Sequence, residues 1–203
     1  MENQSGRFKT IETASPEVLY KERKSKFFAY AFPLYEEEDV KPRIDSLRKM
    51  HPAANHVCYA WQIGISEPRY RANDDGEPNN SAGMPIYGQL QSFGVTNILV
   101  AVARVFGGTK LGVGGLINAY RTAAQLALEA STIIEKSLEQ RFLLSFGYDQ
   151  MNTVMRTLKQ RQINIESQKM GLDCQIFISV EQHKAPEIIE IFKGFHKIGL
   201  KSV

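Results

Sequence analysis

An apolar run that breaks into glycines and then into an alanine-rich helix constrains this chain more than any other stretch. Ile98-Leu99-Val100-Ala101-Val102-Ala103 is short, carries β-branched residues, and is bounded by Asn97 on one side and by glycines further on. That pattern predicts a strand buried on both faces, running over residues 96–106. The glycine segment follows: Gly107, Gly108, Thr109, Lys110, Leu111, Gly112, Val113, Gly114, Gly115. Beyond it Leu116, Ile117, Tyr120, Ala123, Ala124, Ala127 and Leu128 recur at helical spacing, with Arg121 among them. Strand, glycine loop and helix in that order leave unpaired amides at the helix start, where the macrodipole is positive, and Lys110 adds a full charge. Such a place can hold an anion. The same glycines also suit a tight turn or close helix–strand packing with no ligand at all. The Walker pattern is absent, because Leu111 follows Lys110 where Ser or Thr is required. The dinucleotide fingerprint fits poorly: the first glycines are adjacent, and no acidic residue follows at the expected distance.

Upstream lies a segment of opposite character, Asp74-Asp75-Gly76-Glu77-Pro78 followed by Ser81-Ala82-Gly83-Met84-Pro85. Carboxylates crowd it, whereas the glycine segment carries Arg104 and Lys110 and meets no acid until Glu129. Asp-Gly and Glu-Pro are ordinary turn residues, and a turn carboxylate often bonds only to backbone N–H groups. The chemical alternative uses His56, Asp75 and Glu77 as catalytic candidates for general acid–base work, in a metal- or His/Asp-dependent hydrolase acting on a phosphorylated or peptide substrate. Asp74 and Asp75 are the candidate metal ligands, since Mg²⁺ keeps its waters and needs few carboxylates beside a phosphate. Ser81 has no nucleophile-elbow context. Cys58 shares a strand face with His56, but a reactive thiol needs an electropositive, partly exposed setting.

Composition narrows the classes. The 203 residues suit one large or two small domains, and 43% hydrophobic with 23% charged content is that of a folded chain. A net charge of +3 excludes wholesale coating of nucleic acid, so any basic surface is local. No apolar run approaches a membrane span, the N-terminus reads as no signal peptide, and two lone cysteines, Cys58 and Cys174, suit buried thiols in a reducing cytoplasm.

In chain order, a weakly alternating edge strand over residues 7–13 is broken by Ser15-Pro16. Lys21-Glu22-Arg23-Lys24-Ser25-Lys26 reads as a solvated strand end before a strand over 27–32, with phosphate contact beside aromatic rings as its functional alternative. Acids at 36–39, apolar Val40, Ile44 and Leu47, and basic Arg48 and Lys49 predict a helix that His51-Pro52 stops. A strand follows over 55–63, with Val57, Tyr59, Trp61 and Ile63 on its core face. Residues 64–73 read as a connection carrying Arg69 and Arg71. Ser81 is expected to cap a helix ending at Gly94. From residue 132 the pattern resets into a hinge, a strand over 141–148, a helix capped by Asp149, strands over 163–168 and 173–181, and a helix over 186–195. That order predicts a small α+β sandwich with an antiparallel sheet.

These motifs resemble the IMPACT/YigZ family. The matching stretches are Asn55-His56-Val57-Cys58-Tyr59-Ala60, the acidic turn with residues 81–85, and above all the run from Arg104 through the glycine segment to Leu116-Ile117-Asn118-Ala119-Tyr120. The resemblance covers essentially the whole chain. It implies an α+β fold of two domains. Residues 1–134 form an N-terminal β-α sandwich like the second domain of a small-subunit ribosomal protein, shared with part of elongation factor G. Residues 135–203 form a ferredoxin-like C-terminal sandwich. Because eukaryotic relatives are translational regulators that act on activation of a stress-responsive kinase, it also implies a role in translation. Two departures stand out: Ser81 where Thr is common, which keeps a hydroxyl, and Val105 where an aromatic is usual, which removes a stacking ring beside Arg104.

The expectation is thus a cytoplasmic two-domain binding module, more binder than enzyme, with no cofactor. Its partners would be RNA, the ribosome or a translation factor, engaged through Arg104, Gly107, Gly108, Lys110, Gly112, Gly114, Gly115 and Arg121.

Overall fold

A computed structural model describes residues 6–203. Residues 1–5, where the absence of a signal peptide was read, lie outside the described residues. The chain divides into two compact units: Phe8–Lys136, and Ser137–Val203 together with Gly6 and Arg7 of the described N-terminus.

The first unit runs β1 (Arg7–Ile11), β2 (Val18–Glu22), β3 (Ser25–Pro33), α1 (Val40–Met50), β4 (His56–Ile63), β5 (Arg69–Asn73), α2 (Gly83–Phe93), β6 (Ile98–Val105), α3 (Gly112–Glu129) and β7 (Ile133–Ser137). Its main sheet has the order β2-β3-β6-β4-β5, with every neighbouring pair antiparallel. The most apolar strand, β6, lies at the centre, where both faces are covered along nearly its whole length. Ile98, Val100 and Val102 enter one core with Leu90 of α2 and Tyr120 and Ala123 of α3. Leu99, Ala101 and Ala103 enter the other with Val40, Ile44 and Leu47 of α1. Strand β4 is core on both faces too, since Cys58 and Ala60 join the first cluster while Val57 and Trp61 join the second. Each large side chain so buried contributes about 1.5–3 kcal/mol. β1 and β7 make a separate two-stranded sheet that brings Ile11 into the first core.

The second unit runs β8 (Glu139–Gly147), α4 (Met151–Gln160), β9 (Asn164–Lys169), β10 (Asp173–Glu181), α5 (Ala185–Lys193) and β11 (Ile198–Ser202). Its antiparallel sheet has the order β11-β8-β10-β9, the arrangement of a ferredoxin-like sandwich. Val154 and Leu158 of α4 and Ile188 and Phe192 of α5 pack on Leu144, Ile176 and Ile178.

Several local expectations need correction. Residues 18–22 form a strand, and Lys21 to Lys26 is a hairpin rather than a strand end. Its turn escapes notice because Arg23 (φ 42°) and Lys24 (φ 68°) hold left-handed conformations without glycine. Residues 69–73 are an edge strand rather than a connection, and a final strand follows α5. Ser81 does not cap α2: its hydroxyl donates to the Pro78 carbonyl at 2.6 Å. Asp149 makes no cap either, lying in a 3₁₀ turn before α4 with its carboxylate 3.5 Å from Lys197 Nζ.

Candidate functional site

The register of the main sheet assembles the site. Phe27 of β3, Arg104 of β6 and His56 of β4 are cross-strand partners on the face that α3 covers. Arg104, the last residue of the central strand on this face, reaches the rim of the core between Phe27 and Phe106, its guanidinium 5.6 and 5.5 Å from the two ring centres. Phe106 thereby supplies the aromatic contact that Val105 cannot, and its ring is 43% exposed.

Above Arg104 lies the acidic turn, and its carboxylates face inward. Glu77, 8% exposed, accepts from Arg104 Nη1 at 2.6 Å and from the Tyr120 hydroxyl of α3 at 2.8 Å, both on Oε1. Asp74 reaches across to the start of α2: Oδ1 accepts the amides of Ala82 (2.9 Å) and Gly83 (2.8 Å), and Oδ2 that of Asn80 (2.8 Å). A carboxylate eight residues away thus satisfies amides that a local cap normally takes. Asp75 binds Arg48 Nη2 through both oxygens, at 2.6 and 2.7 Å, and accepts the Val57 amide at 2.6 Å. The two aspartates proposed as magnesium ligands are therefore engaged by the protein's own donors, and among the described residues no group of three or more His, Cys, Asp or Glu side chains is placed to hold a metal.

His56 Nδ1 lies 2.7 Å from the Asp75 carbonyl oxygen, which can only accept, so Nδ1 carries a proton and donates it there. The histidine thus meets the backbone of Asp75 and not its carboxylate. Cys58 is fully buried, its sulfur 3.0 Å from the Asp74 carbonyl and 3.3 Å from the Tyr120 hydroxyl. Burial pushes the thiol far above its ordinary value and does the same to the Tyr120 phenol. A thiol held protonated in this way is no nucleophile, so Cys58 is a packing and hydrogen-bonding group.

The glycines divide by role. Gly107 serves packing: a β-carbon there would fall 2.1 Å from the Lys24 carbonyl carbon of the hairpin turn, and its amide donates to the Ser25 hydroxyl at 3.2 Å. Gly112 (φ 72°) turns the chain into α3 from the left-handed region. Gly112, Val113 and Gly114 are exposed, no side chain caps this end, and no acid occupies the first turn. Gly108 and Lys110 are exposed beside them, while Gly115 is half-buried against Leu111.

Arg104, His56, Glu77, Phe106, Lys110 and Val113 are among the residues lining one cleft of about 420 Å³, closed by Pro78, Leu111 and Leu116. One polar atom in its wall is left over: Arg104 Nε is buried with no hydrogen-bond partner. Of the residues singled out by sequence, Arg121 does not belong, since it is exposed on α3 beside Asn118. Arg69 and Arg71 lie on β5, at the sheet edge opposite β2. The sequence reading missed the contribution of Tyr120 to the wall network, which its helical spacing disguises as core, and that of Phe106.

The model of the Impact N-terminal domain matches residues 23–128, about half the chain and every residue that lines the cleft. The chain belongs to the IMPACT family. It is 34% identical over 152 residues to the IMPACT family member YigZ of Escherichia coli, covering 74% of each chain. To the IMPACT family member YvyE of Bacillus subtilis it is 31% identical over 155 residues, covering 76% of this chain and 70% of that one. A solved structure described as that of an hypothetical protein matches with a TM-score of 0.67 at 26% identity, covering 98% of both chains. That agreement extends the likeness beyond the IMPACT domain to the ferredoxin-like unit. Among the described residues no helix is long and apolar enough to cross a membrane.

Proposed function

We propose that this IMPACT family chain is a binding module working in translation control, and that the cleft at the mouth of α3 is where it takes negative charge from RNA, a ribosomal surface or a translation factor. The observation that supports this most is the open end of α3. Its uncapped amides, exposed Lys110 and the Arg104 guanidinium with its unpartnered Nε converge on one cleft. The turn carboxylates that would repel an anion are neutralised internally by amides, Arg48 and Arg104. Family membership supplies the link to translation that the resemblance implies.

Phosphate contacts of this kind give affinity that falls steeply with salt. Cosedimentation with ribosomes over a salt series, for wild type and Lys110→Glu, tests the reading. Binding that weakens with salt and drops at least about tenfold in the variant is expected, since one cation becomes an anion at the cleft mouth. Binding indifferent to both salt and the charge reversal would retire the cleft as the binding surface.

A further inference from the structure

The glycine loop does not stand alone: it is docked on the β2–β3 hairpin. Gly107 touches the Lys24 backbone so closely that only glycine fits. Arg23 and Glu22 line a second groove, of about 270 Å³, with Leu111, Gly115 and Asn118 of the α3 mouth. Leu111 belongs to the walls of both grooves, so a path leads from the Phe106–Arg104 cleft past the start of α3 to the hairpin tip.

That path is basic. Lys21, Arg23, Lys24 and Lys26 are all exposed, as is Lys110. Against them stands Glu22, whose nearest approach to Arg23 is a loose 4.0 Å. Lys21 and Lys26 project from the face opposite Tyr20 and Phe27, so along the path itself Arg23, Lys24 and Lys110 outnumber the single carboxylate. Two features show that the charges are held at a cost in stability. Lys21 and Lys26 are directly opposite each other in the hairpin register, where like charges destabilise a strand pair. Arg23 and Lys24 occupy left-handed turn positions that Asn and Gly fill without strain.

We infer, resting on the binding reading above, that hairpin tip and cleft together form one track for a single-stranded polynucleotide, its backbone following Lys110, Arg23 and Lys24 while a base enters the cleft against the exposed face of Phe106. A basic track interrupted by an exposed ring matches a strand whose charges repeat and whose bases are free to stack. A duplex offers no unstacked base, and an acidic peptide has no use for the ring.

Fluorescence anisotropy with a labelled oligouridine of about 20 nucleotides tests this over a salt titration. Three proteins are compared: wild type, Lys110→Glu, and a hairpin variant combining Arg23→Asn and Lys24→Gly. The hairpin variant should melt no lower than wild type, yet bind more weakly, with a log–log salt slope shallower by about 1.4, at roughly 0.7 per lost phosphate contact on a single strand. Lys110→Glu should also weaken binding. A hairpin variant that matches wild type while Lys110→Glu fails would overturn the track and leave the cleft reading intact. Wild type that ignores oligouridine but binds a polyglutamate peptide at the cleft would do the same, with a protein partner in place of nucleic acid. Wild type that binds neither probe at low salt removes both.

Discussion

Glu77 is the buried carboxylate of the cleft wall. One oxygen accepts from a guanidinium on the central strand and from a phenol on α3, so it ties the acidic turn to two elements at once. Paired, this buried ion contributes modestly, because desolvation offsets most of the attraction. Broken, it is costly: Glu77→Ala leaves Arg104 buried without its counter-charge, and urea denaturation should show a loss of about 3–5 kcal/mol. A loss below about 1 kcal/mol, the level of exposed pairs, would mean that water reaches the guanidinium and that the cleft is wetter than its lining indicates. The sequence showed the right residues here but not their directions. Asp74, Asp75, Glu77 and His56 were all legible as a cluster near the glycine loop, whereas which carboxylate meets which donor depends on the sheet register and on the left-handed Asp75 (φ 45°). Gly107 was legible as unusual, but the reason is a backbone from residue 24, and no local pattern carries that.

Among elements, α2 shows how a remote residue can settle a helix end. Its start is Ala82-Gly83, with no side chain of its own to receive the amides, and Asp74 receives them instead. Asp74→Ala should therefore cost about 1–2 kcal/mol or somewhat more, as the removal of a helix cap does. Hydrogen exchange should quicken first at Ala82 and Gly83; protection unchanged there would show that the amides find other acceptors. Elements whose apolar periodicity is strong, β6 and α3 above all, were legible because burial on both faces, or on one stripe, leaves its mark residue by residue. β5 was not: an edge strand spelled Arg69-Tyr70-Arg71-Ala72-Asn73 satisfies its pairing through the backbone and shows solvent-compatible side chains. β2 was missed for the related reason that its turn lacks the glycine that usually announces a hairpin.

At the scale of the molecule, each unit possesses its own core, one built around β6 and the other around β8 and β10. A chain limited to Phe8–Lys136 is expected to fold, with a cooperative melt and dispersed amide resonances, because it keeps all five strands of the main sheet and the helices on both its faces. A molten fragment would show that the ferredoxin-like unit is needed for its stability. The reset of pattern near residue 132 made two bodies legible; the grouping of Gly6 and Arg7 with the later one depends on long-range pairing that composition cannot reveal. The inward-facing acidic turn has one more effect. An approaching ion responds to the field outside the protein rather than to a tally along the chain, and the three carboxylates of this turn are each engaged by the protein's own amides or guanidinium groups. Near the mouth of α3 the turn and its paired arginines therefore largely cancel, and the unpaired charge that an ion meets there is that of exposed Lys110.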